Sequence, residues 1–501
     1  MPVDPTVKTS FGMLSGTETP SEVLKFLGVP YATPPVGSLR FRSPQPVSPW
    51  TGVRPAARFS PMAIQPITPM EHALGVAAHP MSEDCLYLNI WTPSVDGRLP
   101  VMVWLHGGAF TNGSGSVPWY DGENLARQHQ VVVVTLNYRL GVFGFLDLAG
   151  YDPETFEGSA NAGVLDQKAA LEWVRDNIGS FGGDPARVCV FGQSAGAISI
   201  AALISIPAAA DLFGRAILQS GITAGVVDRD QSVSRTRSIL DRLGVERVDR
   251  QKDREKLASI PAAELLAAQE STALAHPLAM PFGPAVDGSL LRRQPIEAIR
   301  GGAARDIELL VGANENETRL FRLLLPSLLQ LQDRRQLVAK ASLLFGASLA
   351  EEMASACAEL LPGASPSEQW ETMLDAGQFH ANVSLVAQAQ TGAGGRCYTY
   401  LFAWRSRALG GSLGACHGLE LPFVFDNLDS TGAEMLTGSG EDRRDVASMM
   451  AAAWTAFARS GRPQADGLPT WTPYERGRPS TMVFDSNPRM ADLPIPPWDR
   501  R

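Results

Sequence analysis

The segment Val188–Ile198 has the sequence VCVFGQSAGAI. Its apolar, β-branched and aromatic start is typical of a buried strand, and the small apolar residues at its end are typical of a helix. Between them, Gly192 and Gly196 flank a serine in the pattern Gly-x-Ser-x-Gly. A sharp turn of this kind holds the serine in a strained conformation, exposes its hydroxyl above the sheet edge, and needs glycines where the backbone passes close by. The segment therefore predicts that Ser194 is a nucleophile.

The same five-residue pattern occurs a second time, as GGSLG at residues 410–414. The preceding residues, RSRAL at 405–409, do not predict a strand, and the residues after it do not predict a helix before His417 and Pro422. A motif of this kind carries weight only in its structural context. We therefore interpret Ser412 as a chance match in a glycine loop.

The composition is typical of a soluble globular protein, because 45% of the 501 residues are hydrophobic and 19% are charged. The formal net charge is −9, from 43 Lys and Arg against 52 Asp and Glu. The sequence contains no basic run that could follow a phosphate backbone, so we expect no nucleic-acid partner.

The sequence predicts neither a secretory signal nor a membrane span. Residues 1–8 lack a basic start followed by an apolar core. Residues 188–210 contain no charged side chain and are long enough to cross a bilayer. However, Gln193, Ser194 and Pro207 fit a buried strand, turn and helix better than a helix that faces lipid.

The five cysteines, at positions 85, 189, 357, 397 and 416, are odd in number and scattered, and no two have the Cys-x-x-Cys spacing. This pattern disfavours both a metal site and a disulfide framework. Without a secretory signal, we expect the protein in the reducing cytoplasm. Cys416 precedes a histidine, but we interpret it as a small buried thiol rather than a catalytic one.

Uninterrupted apolar and β-branched runs recur along the chain and predict strands that are covered on both faces. They lie at Leu99–Leu105, Gln130–Leu136, Arg187–Phe191, Arg215–Leu218, Ile307–Val311 and Cys397–Trp404. Helical patterns lie between several of them, and Asn161–Ile178 is the clearest. Alternating strands and helices predict an α/β fold with a large, mostly parallel central sheet and helices on both faces.

Two long stretches, 228–274 and 327–389, are rich in Ala, Leu, Gln and Arg and poor in β-branched residues. We expect them to form helices inserted between the later strands, as a cap over the site. The sequence shows no internal repeat, low-complexity linker or sharp change of composition. Residues 1–501 are therefore expected to form a single domain.

A nucleophilic serine needs a base, and the base needs an acid that fixes its tautomer and stabilises the imidazolium. In hydrolases built on a strand, turn and helix, the chain order is Ser, then Asp or Glu, then His. Three histidines follow Ser194. His417 lies in a loop after a predicted strand, from which it can reach the nucleophile. His276 lies in a proline-flanked segment and His380 in a helical one, which favours structural roles for both.

Two carboxylates are candidates for the acid. The predicted strand Ile307–Val311 runs into GANENET at 312–318, which places Glu315 and Glu317 in one turn past a strand end. Each could instead be a solvated charge, and the spacing alone does not choose between them.

Acyl transfer also needs hydrogen-bond donors aimed at the developing oxyanion. The predicted strand Leu99–Leu105 ends in His-Gly-Gly, and adjacent glycines leave the backbone N–H groups of Gly107 and Gly108 unobstructed. The N–H of Ala195, directly after the candidate nucleophile, is the third candidate donor.

Together these residues resemble the type B carboxylesterase family, a branch of the α/β-hydrolase fold that includes bacterial para-nitrobenzyl esterases and the cholinesterases. The resemblance extends from about residue 8 to WTPY at 471–474. It is carried by SEDCLYLNI at 82–90, NYRLG at 137–141, FGGDP at 181–185, QSG at 219–221 and HGLELPF at 417–423.

The resemblance implies an α/β-hydrolase fold and a catalytic triad of Ser194, Glu317 and His417. The family's acid lies in an Asp/Asn-Glu-Gly/Thr turn, and the residues NET at 316–318 match that turn. The resemblance therefore favours Glu317 over Glu315. The family base is matched by His417.

The resemblance also implies that Gly107, Gly108 and Ala195 form the oxyanion hole, and that Ser220 is a supporting hydroxyl near the acid and the base. Many family members have glutamate before the nucleophile, whereas this chain has Gln193. The difference removes a negative charge beside the site and weakens the case for a cationic, choline-like substrate.

Cys85 is a second departure from the family pattern. Secreted relatives pair this cysteine with an upstream one, and the sequence has no cysteine before position 85. The departure agrees with the expected cytoplasmic location.

These expectations describe a serine carboxylesterase that hydrolyses carboxylic esters with small to medium acyl groups, such as para-nitrophenyl esters, through an acyl-enzyme. We expect no metal and no organic cofactor, and a small-molecule ester as the substrate. One alternative is an amidase or carbamate hydrolase with the same machinery. Another is an inactive esterase-like binding protein, against which the intact candidate residues argue. The sequence indicates neither the acid and alcohol of the ester nor an oligomeric state.

Overall fold

The apolar runs form strands of one large sheet in the computed structural model of the chain. The structure describes residues 5–492, apart from 68–71, 73, 74, 76–78, 222–224, 247–249, 276–279 and 281. The described strands are β1 (Thr6–Lys8), β2 (Met13–Ser15), β3 (Thr17–Glu18), β4 (Leu24–Pro30), β5 (Val53–Pro55), β6 (Tyr87–Thr92), β7 (Leu99–Leu105), β8 (Val132–Leu136), β9 (Gly183–Gln193), β10 (Arg215–Gln219), β11 (Glu308–Asn314), β12 (Cys397–Phe402), β13 (Ser480–Phe484) and β14 (Arg489–Asp492).

Helices connect most of these strands and fill the two predicted helical stretches. The described α-helices are α1 (Glu123–His129), α2 (Gly141–Phe145), α3 (Ala162–Asn177), α4 (Ala195–Ile204), α5 (Pro207–Ala210), α6 (Arg229–Arg242), α7 (Gln251–Ser259), α8 (Ala262–Ala275), α9 (Pro295–Arg300), α10 (Thr318–Leu324), α11 (Pro326–Leu329), α12 (Arg334–Phe345), α13 (Ala347–Leu360), α14 (Pro366–Leu374), α15 (Ala381–Gly392), α16 (Leu421–Val424), α17 (Ala433–Thr437) and α18 (Asp442–Ser460). A π-helical turn, Asp375–His380, joins α14 to α15.

The large sheet has eleven strands in the order β14-β13-β12-β11-β10-β9-β7-β8-β6-β4-β3, and β1, β2 and β5 form a separate small sheet. The strands from β8 across to β13 pair in parallel. Antiparallel pairs occur at both ends of the sheet. Because the carboxyl ends of parallel strands meet at one edge, the segments after β7, β9, β10, β11 and β12 are brought together there.

The parallel strands are covered on both faces, since alternate side chains enter two different hydrophobic cores. In β7, Val101, Val103 and Leu105 belong to one core, and Met102 and Trp104 belong to the other. Helices α3, α4 and α15 pack on the first face, and α1 and α18 pack on the second. Burial on both faces explains why the apolar runs in these strands are continuous rather than alternating.

The predicted α/β fold is confirmed. Each of the six predicted strands is present, with ends that differ from the prediction by up to four residues, as in Gly183–Gln193 for the predicted Arg187–Phe191. The stretch 228–274 contains α6, α7 and all but the last residue of α8, and the stretch 327–389 contains α12 to α14 and most of α15. Among the described residues, no helix is long and apolar enough to cross a membrane. All five cysteines are buried and have free thiols.

Candidate active site

Ser194 lies at the sharp turn between β9 and α4. Its backbone has φ 55° and ψ −121°, a combination that costs a non-glycine residue free energy. Its N–H donates to the carbonyl of Gln219 at 2.8 Å, which fixes the turn to the end of β10. A Cβ at Gly192 would come within 2.8 Å of the Leu105 carbonyl oxygen, and one at Gly196 would collide with the same atom. The two glycines of the pattern are therefore required by the backbone packing around the serine.

Glu317 and His417 are hydrogen-bonded although they lie 100 residues apart in the chain. His417 Nδ1–H donates to Glu317 Oε2 at 2.6 Å. The other carboxylate oxygen accepts from the N–H of Asn314 at 2.7 Å, and the backbone N–H of His417 donates to the Glu317 carbonyl at 3.2 Å. These bonds hold the buried carboxylate against one edge of the imidazole and leave Nε2 on the opposite edge.

The carboxylates around His417 stabilise its protonated form. Burial by itself disfavours the imidazolium, but the charge and the hydrogen bond of Glu317, with smaller contributions from Glu420 and Asp375, outweigh that effect, so the pKa of His417 is raised above its ordinary value. A histidine whose imidazolium is stabilised by a fixed carboxylate can accept a proton from a hydroxyl and hold it during a reaction.

His417 Nε2 is hydrogen-bonded to the side chain of Gln193. Gln193 Nε2 lies 3.0 Å from it, and Gln193 is 4% exposed. Ser194 follows Gln193 directly, so the serine, the amide and the imidazole lie at the same edge of the sheet. The structure thus hydrogen-bonds His417 to Glu317 and places Ser194 next to Gln193, which His417 contacts, without a hydrogen bond between the serine and the imidazole.

The loop after β7 presents the backbone N–H groups of Gly107 and Gly108 next to the serine turn, and the first residue of α4 adds the N–H of Ala195. Gly108 has φ +110°, and the two residues after it also have positive φ. A Cβ at Gly107 would lie 3.2 Å from the Ser194 Cβ, so this loop packs against the turn. The N–H groups of Gly107, Gly108 and Ala195 donate to no acceptor in the described part of the chain. Free donors beside a nucleophile can stabilise a developing oxyanion.

His106 supports this loop, a role that the sequence analysis did not assign. Its ring stacks on Tyr138 at 4.4 Å, and Tyr138 Oη donates to the His106 carbonyl at 2.8 Å. Burial lowers the pKa of His106 to about 4, so the ring is neutral at pH 7. Its Nδ1–H donates to the Gly107 carbonyl at 2.8 Å. Since this carbonyl and the Gly108 N–H belong to one planar peptide, the bond also fixes where the Gly108 N–H points.

Two further carboxyl groups, Glu420 and Asp375, are buried beside the acid and the base. Glu420 accepts from Asn314 Nδ2 at 2.7 Å, and Asp375 accepts from both the N–H and the hydroxyl of Thr318, at 2.8 and 2.7 Å. Burial, reinforced by the charge of Glu317, raises the pKa of each to about 7. Neither group was predicted from the sequence. The motif at 417–423 contains Glu420, but no pattern in the sequence shows that this carboxyl is buried.

Two phenylalanine rings flank His417. The ring of Phe321, from α10, lies 5.2 Å from the imidazole, and the ring of Phe379, from the π-helical turn, lies 5.5 Å from it. These rings form an apolar wall beside the base. Neither ring was predicted from the sequence, because a phenylalanine in a helical segment carries no signal that separates a wall of a site from a core position.

The alternatives to the preferred residues lie in different surroundings. Glu315 is 35% exposed along its side chain and pairs with Arg405 at 2.8 Å. His380 Nε2 contacts the carbonyl at the end of β11 at 2.9 Å. Ser412 is exposed and follows the 3-10 turn Ala408–Gly411. His276 lies outside the described residues.

Ser220 lies at the same edge of the sheet, directly after β10. It has φ 51°, and its N–H donates to the Gly312 carbonyl at 2.8 Å. Its hydroxyl is buried and has no hydrogen-bond partner in the described part of the chain. The structure therefore places Ser220 near the candidate site but does not bond it to Glu317 or His417.

Cys416 and the other titratable side chains do not suggest a thiol or metal centre in the part of the chain that the structure describes. Burial raises the pKa of Cys416 to about 12, so its thiol is protonated at pH 7. The described residues contain no group of three His, Cys, Asp or Glu side chains that could hold a metal ion.

Comparisons with known proteins find relatives along almost the whole chain. Residues 3–494 match the model of the carboxylesterase family. The chain is 39% identical to a para-nitrobenzyl esterase of Bacillus subtilis (strain 168), across 96% of this chain and 94% of the relative. It is 38% identical to a fumonisin B1 esterase of Sphingopyxis macrogoltabida, across 95% and 86%. A crystal structure of a Geobacillus stearothermophilus carboxylesterase is similar with a TM-score of 0.88 and 40% identity, covering 98% of each chain.

Proposed function

The chain belongs to the carboxylesterase family and is a carboxylic ester hydrolase, and from this premise we propose that Ser194 is its nucleophile, His417 its general base and Glu317 the acid that orients the base. The observation that carries the proposal is the buried hydrogen bond of 2.6 Å between His417 Nδ1 and Glu317 Oε2. It lies at the sheet edge where Ser194 occupies its strained turn. An oriented imidazole beside a serine is the arrangement that nucleophilic acyl transfer needs.

In the first half of the reaction, Ser194 Oγ attacks the carbonyl carbon of the ester while its proton passes to His417 Nε2. The π electrons of the carbonyl move to its oxygen, and Glu317 stabilises the imidazolium. When the tetrahedral intermediate collapses, the bond to the alcohol oxygen breaks and His417 gives that oxygen the proton. Water then attacks the acyl-enzyme by the same steps, which releases the acid and restores the serine.

The N–H groups of Gly107, Gly108 and Ala195 are the proposed oxyanion hole. Two observations support this assignment. None of the three N–H groups donates elsewhere in the described part of the chain, and His106 fixes the peptide that carries the Gly108 N–H. Donors held in place before the reaction stabilise the oxyanion without reorganisation, and losing one typically costs about 10² to 10³ in kcat.

The enzyme acts on small-molecule esters, and we propose neutral esters with small to medium acyl groups, such as para-nitrophenyl esters, as its preferred substrates. The support is the apolar wall of Phe321 and Phe379 beside His417. The test is kcat/KM over para-nitrophenyl esters of rising acyl length, with an anilide and a carbamate of matched size. A better rate on the anilide or the carbamate would contradict the ester preference.

The triad is tested by comparing Ser194→Ala with Ser412→Ala, since both serines lie in the same five-residue pattern. We expect Ser194→Ala to lose activity by several orders of magnitude, up to about 10⁶ in kcat, with an unchanged melting temperature. Ser412→Ala should leave the rate within about twofold, because an exposed loop serine contributes little. Substantial activity in a folded Ser194→Ala variant would overturn the assignment.

We also propose that the chain is one domain in which the inserted helices form a cap, and that it functions in the cytoplasm. The cap is supported by Phe379, which lies in the π-helical turn within the stretch 327–389 and whose ring is 5.5 Å from that of His417. The five free, buried thiols are consistent with a reducing compartment. A single cooperative unfolding transition and recovery of activity in the cytoplasmic fraction of the source cells would support these points. Two separate transitions, or activity in an extracellular fraction, would contradict them.

A further inference from the structure

Gln193 makes a contact that the proposed reaction does not use. In the resting structure its Nε2 lies 3.0 Å from His417 Nε2. His417 donates its Nδ1–H to Glu317, so the neutral imidazole presents a lone pair at Nε2, and the Gln193 amide donates to it. The proposed function requires the same lone pair to receive the proton of Ser194.

The position of the Gln193 amide is set by the surrounding backbone. Gln193 pairs with Gln219 at the end of β9, which fixes its main chain. Its Oε1 lies 2.8 Å from the place that a Cβ of Gly107 would occupy, so the side chain fits only because residue 107 is glycine. The amide therefore packs between the candidate oxyanion loop and the imidazole, and it contacts both.

We propose that Gln193 is a positioning residue that holds His417 as the neutral base in the free enzyme and competes with the Ser194 hydroxyl for Nε2, so that substrate binding must shift this hydrogen bond. The inference rests on the proposed function, since it takes His417 as the base. It assigns Gln193 a role beyond the absence of a negative charge. In the resting enzyme the amide therefore occupies Nε2, and His417 does not activate Ser194. When substrate binds, the amide leaves Nε2.

Charge around the imidazole gives this contact a measurable consequence. The carboxyl groups that face His417 are Glu317 from the turn after β11, Glu420 from the turn before α16 and Asp375 from the π-helical turn, and all three favour the imidazolium. An amide that donates to Nε2 stabilises the neutral ring instead and opposes them. Removing that donor should therefore raise the pKa of His417.

The decisive experiment is the pH dependence of kcat/KM on para-nitrophenyl acetate, whose acidic limb reports the base of the free enzyme. Gln193→Met keeps the side-chain length but removes the donor. We expect its acidic limb to move to higher pH by less than about one pH unit. In Gln193→Glu, a carboxylate at Nε2 should move the limb further in the same direction. A Gln193→Met limb that stays in place or moves to lower pH would overturn the proposal.

Competition for Nε2 predicts a second result from the same data. In Gln193→Met the Ser194 hydroxyl no longer displaces a donor, so the plateau of kcat/KM and the rate of phosphonylation of Ser194 should rise about two- to tenfold, as expected for one net hydrogen bond. A plateau that is unchanged or lower, in a variant with the wild-type melting temperature, would contradict the competition.

The matched control is Gln390→Met. Gln390 is fully buried, and its Nε2 donates to the carbonyls of Ala304 and Ile307, away from His417. Its loss should lower the melting temperature and leave the acidic limb unmoved; a limb that moves equally in this control would overturn a specific role for Gln193. The outcome is separable from the proposed function, which fails only if Ser194→Ala or Glu317→Gln retains activity.

Discussion

The variant Glu317→Gln tests whether Glu317 is the acid that acts on the base. Its control is Glu315→Gln, which changes a carboxylate that is only nearby. The two residues lie in one turn, two positions apart, and both substitutions remove one charge and keep the shape. Glu317 is fully buried and accepts the Nδ1–H of His417 at 2.6 Å. Glu315 is 35% exposed along its side chain and pairs with an Arg405 that is 63% exposed.

The expected magnitudes differ by orders of magnitude. Glutamine at 317 cannot balance the imidazolium, and its amide can hold the ring in the wrong tautomer, as in other triads where loss of the acid's charge lowers kcat by about 10⁴. The Glu315–Arg405 pair is exposed, and such pairs contribute about 0–1 kcal/mol to stability. Glu315→Gln should therefore keep kcat/KM within about twofold and lower the melting temperature by a few degrees at most.

The assay is kcat and kcat/KM on para-nitrophenyl butyrate for both variants at the pH optimum, with melting temperatures as the folding control. Equal losses in the two variants, or a larger loss in Glu315→Gln, would show that burial and the hydrogen bond to His417 do not make Glu317 the acid. So would a Glu317→Gln variant that melts normally and retains more than about a tenth of wild-type activity.

Three more predictions follow from particular contacts. Gly196→Ala should abolish activity and lower the melting temperature, because its Cβ would collide with the Leu105 carbonyl oxygen. The control Gly214→Ala should be tolerated, because a Cβ there meets nothing within 4 Å. A fully active Gly196→Ala variant would contradict the packing around the serine. Burial raises the pKa of Asp375 to about 7, above its value of about 3.9 in the unfolded chain, so this group lowers stability as the pH rises from about 4 through 7, by up to about 1.4 kcal/mol per pH unit. The melting temperature of Asp375→Asn relative to wild type should therefore increase between about pH 5 and 8, and a difference that is independent of pH would contradict the buried, neutral carboxyl. Because residue 193 is glutamine, butyrylcholine should be no better a substrate than a neutral butyrate ester of similar bulk. Gln193→Glu should raise the ratio of kcat/KM for butyrylcholine to that for the neutral ester by about fivefold at low salt. A ratio that does not change would show that other residues set the charge preference.

The central sheet could be predicted because its strands are buried on both faces. Such strands are continuous apolar runs, and each of the six predicted runs is a strand in the structure. Five strands of the large sheet, β3, β4, β6, β13 and β14, were not predicted. The strands β4 (Leu24–Pro30) and β6 (Tyr87–Thr92) mix polar with apolar residues and pair antiparallel toward one end of the sheet, so their sequences carry a weaker signal. The strand β13 (Ser480–Phe484) is buried and parallel to β12, but two of its five residues carry hydroxyl groups, which leaves only a short apolar run. The strands of the small sheet have only three residues each, too few for any periodicity.

Part of the site could also be predicted, because the order of motifs along the chain and the parallel sheet determine which segments meet. The turns that carry Ser194, Glu317 and Gly107 each follow a strand that ends at the same edge. What sequence reasoning missed depends on side-chain conformation. The hydrogen bond from Gln193 to His417 and the burial of Glu420 follow from packing between segments far apart in the chain, which no local pattern records.

Covalent labelling with a fluorophosphonate, mapped by peptide mass, identifies the nucleophilic serine. We expect one label per chain, on Ser194, with labelling lost in Ser194→Ala and slowed by several orders of magnitude in His417→Ala. The peptide containing Ser412 should remain unmodified in every variant, because that serine lies in an exposed loop without a base. A label on Ser412, or undiminished labelling of Ser194→Ala, would show that Ser194 is not the nucleophile.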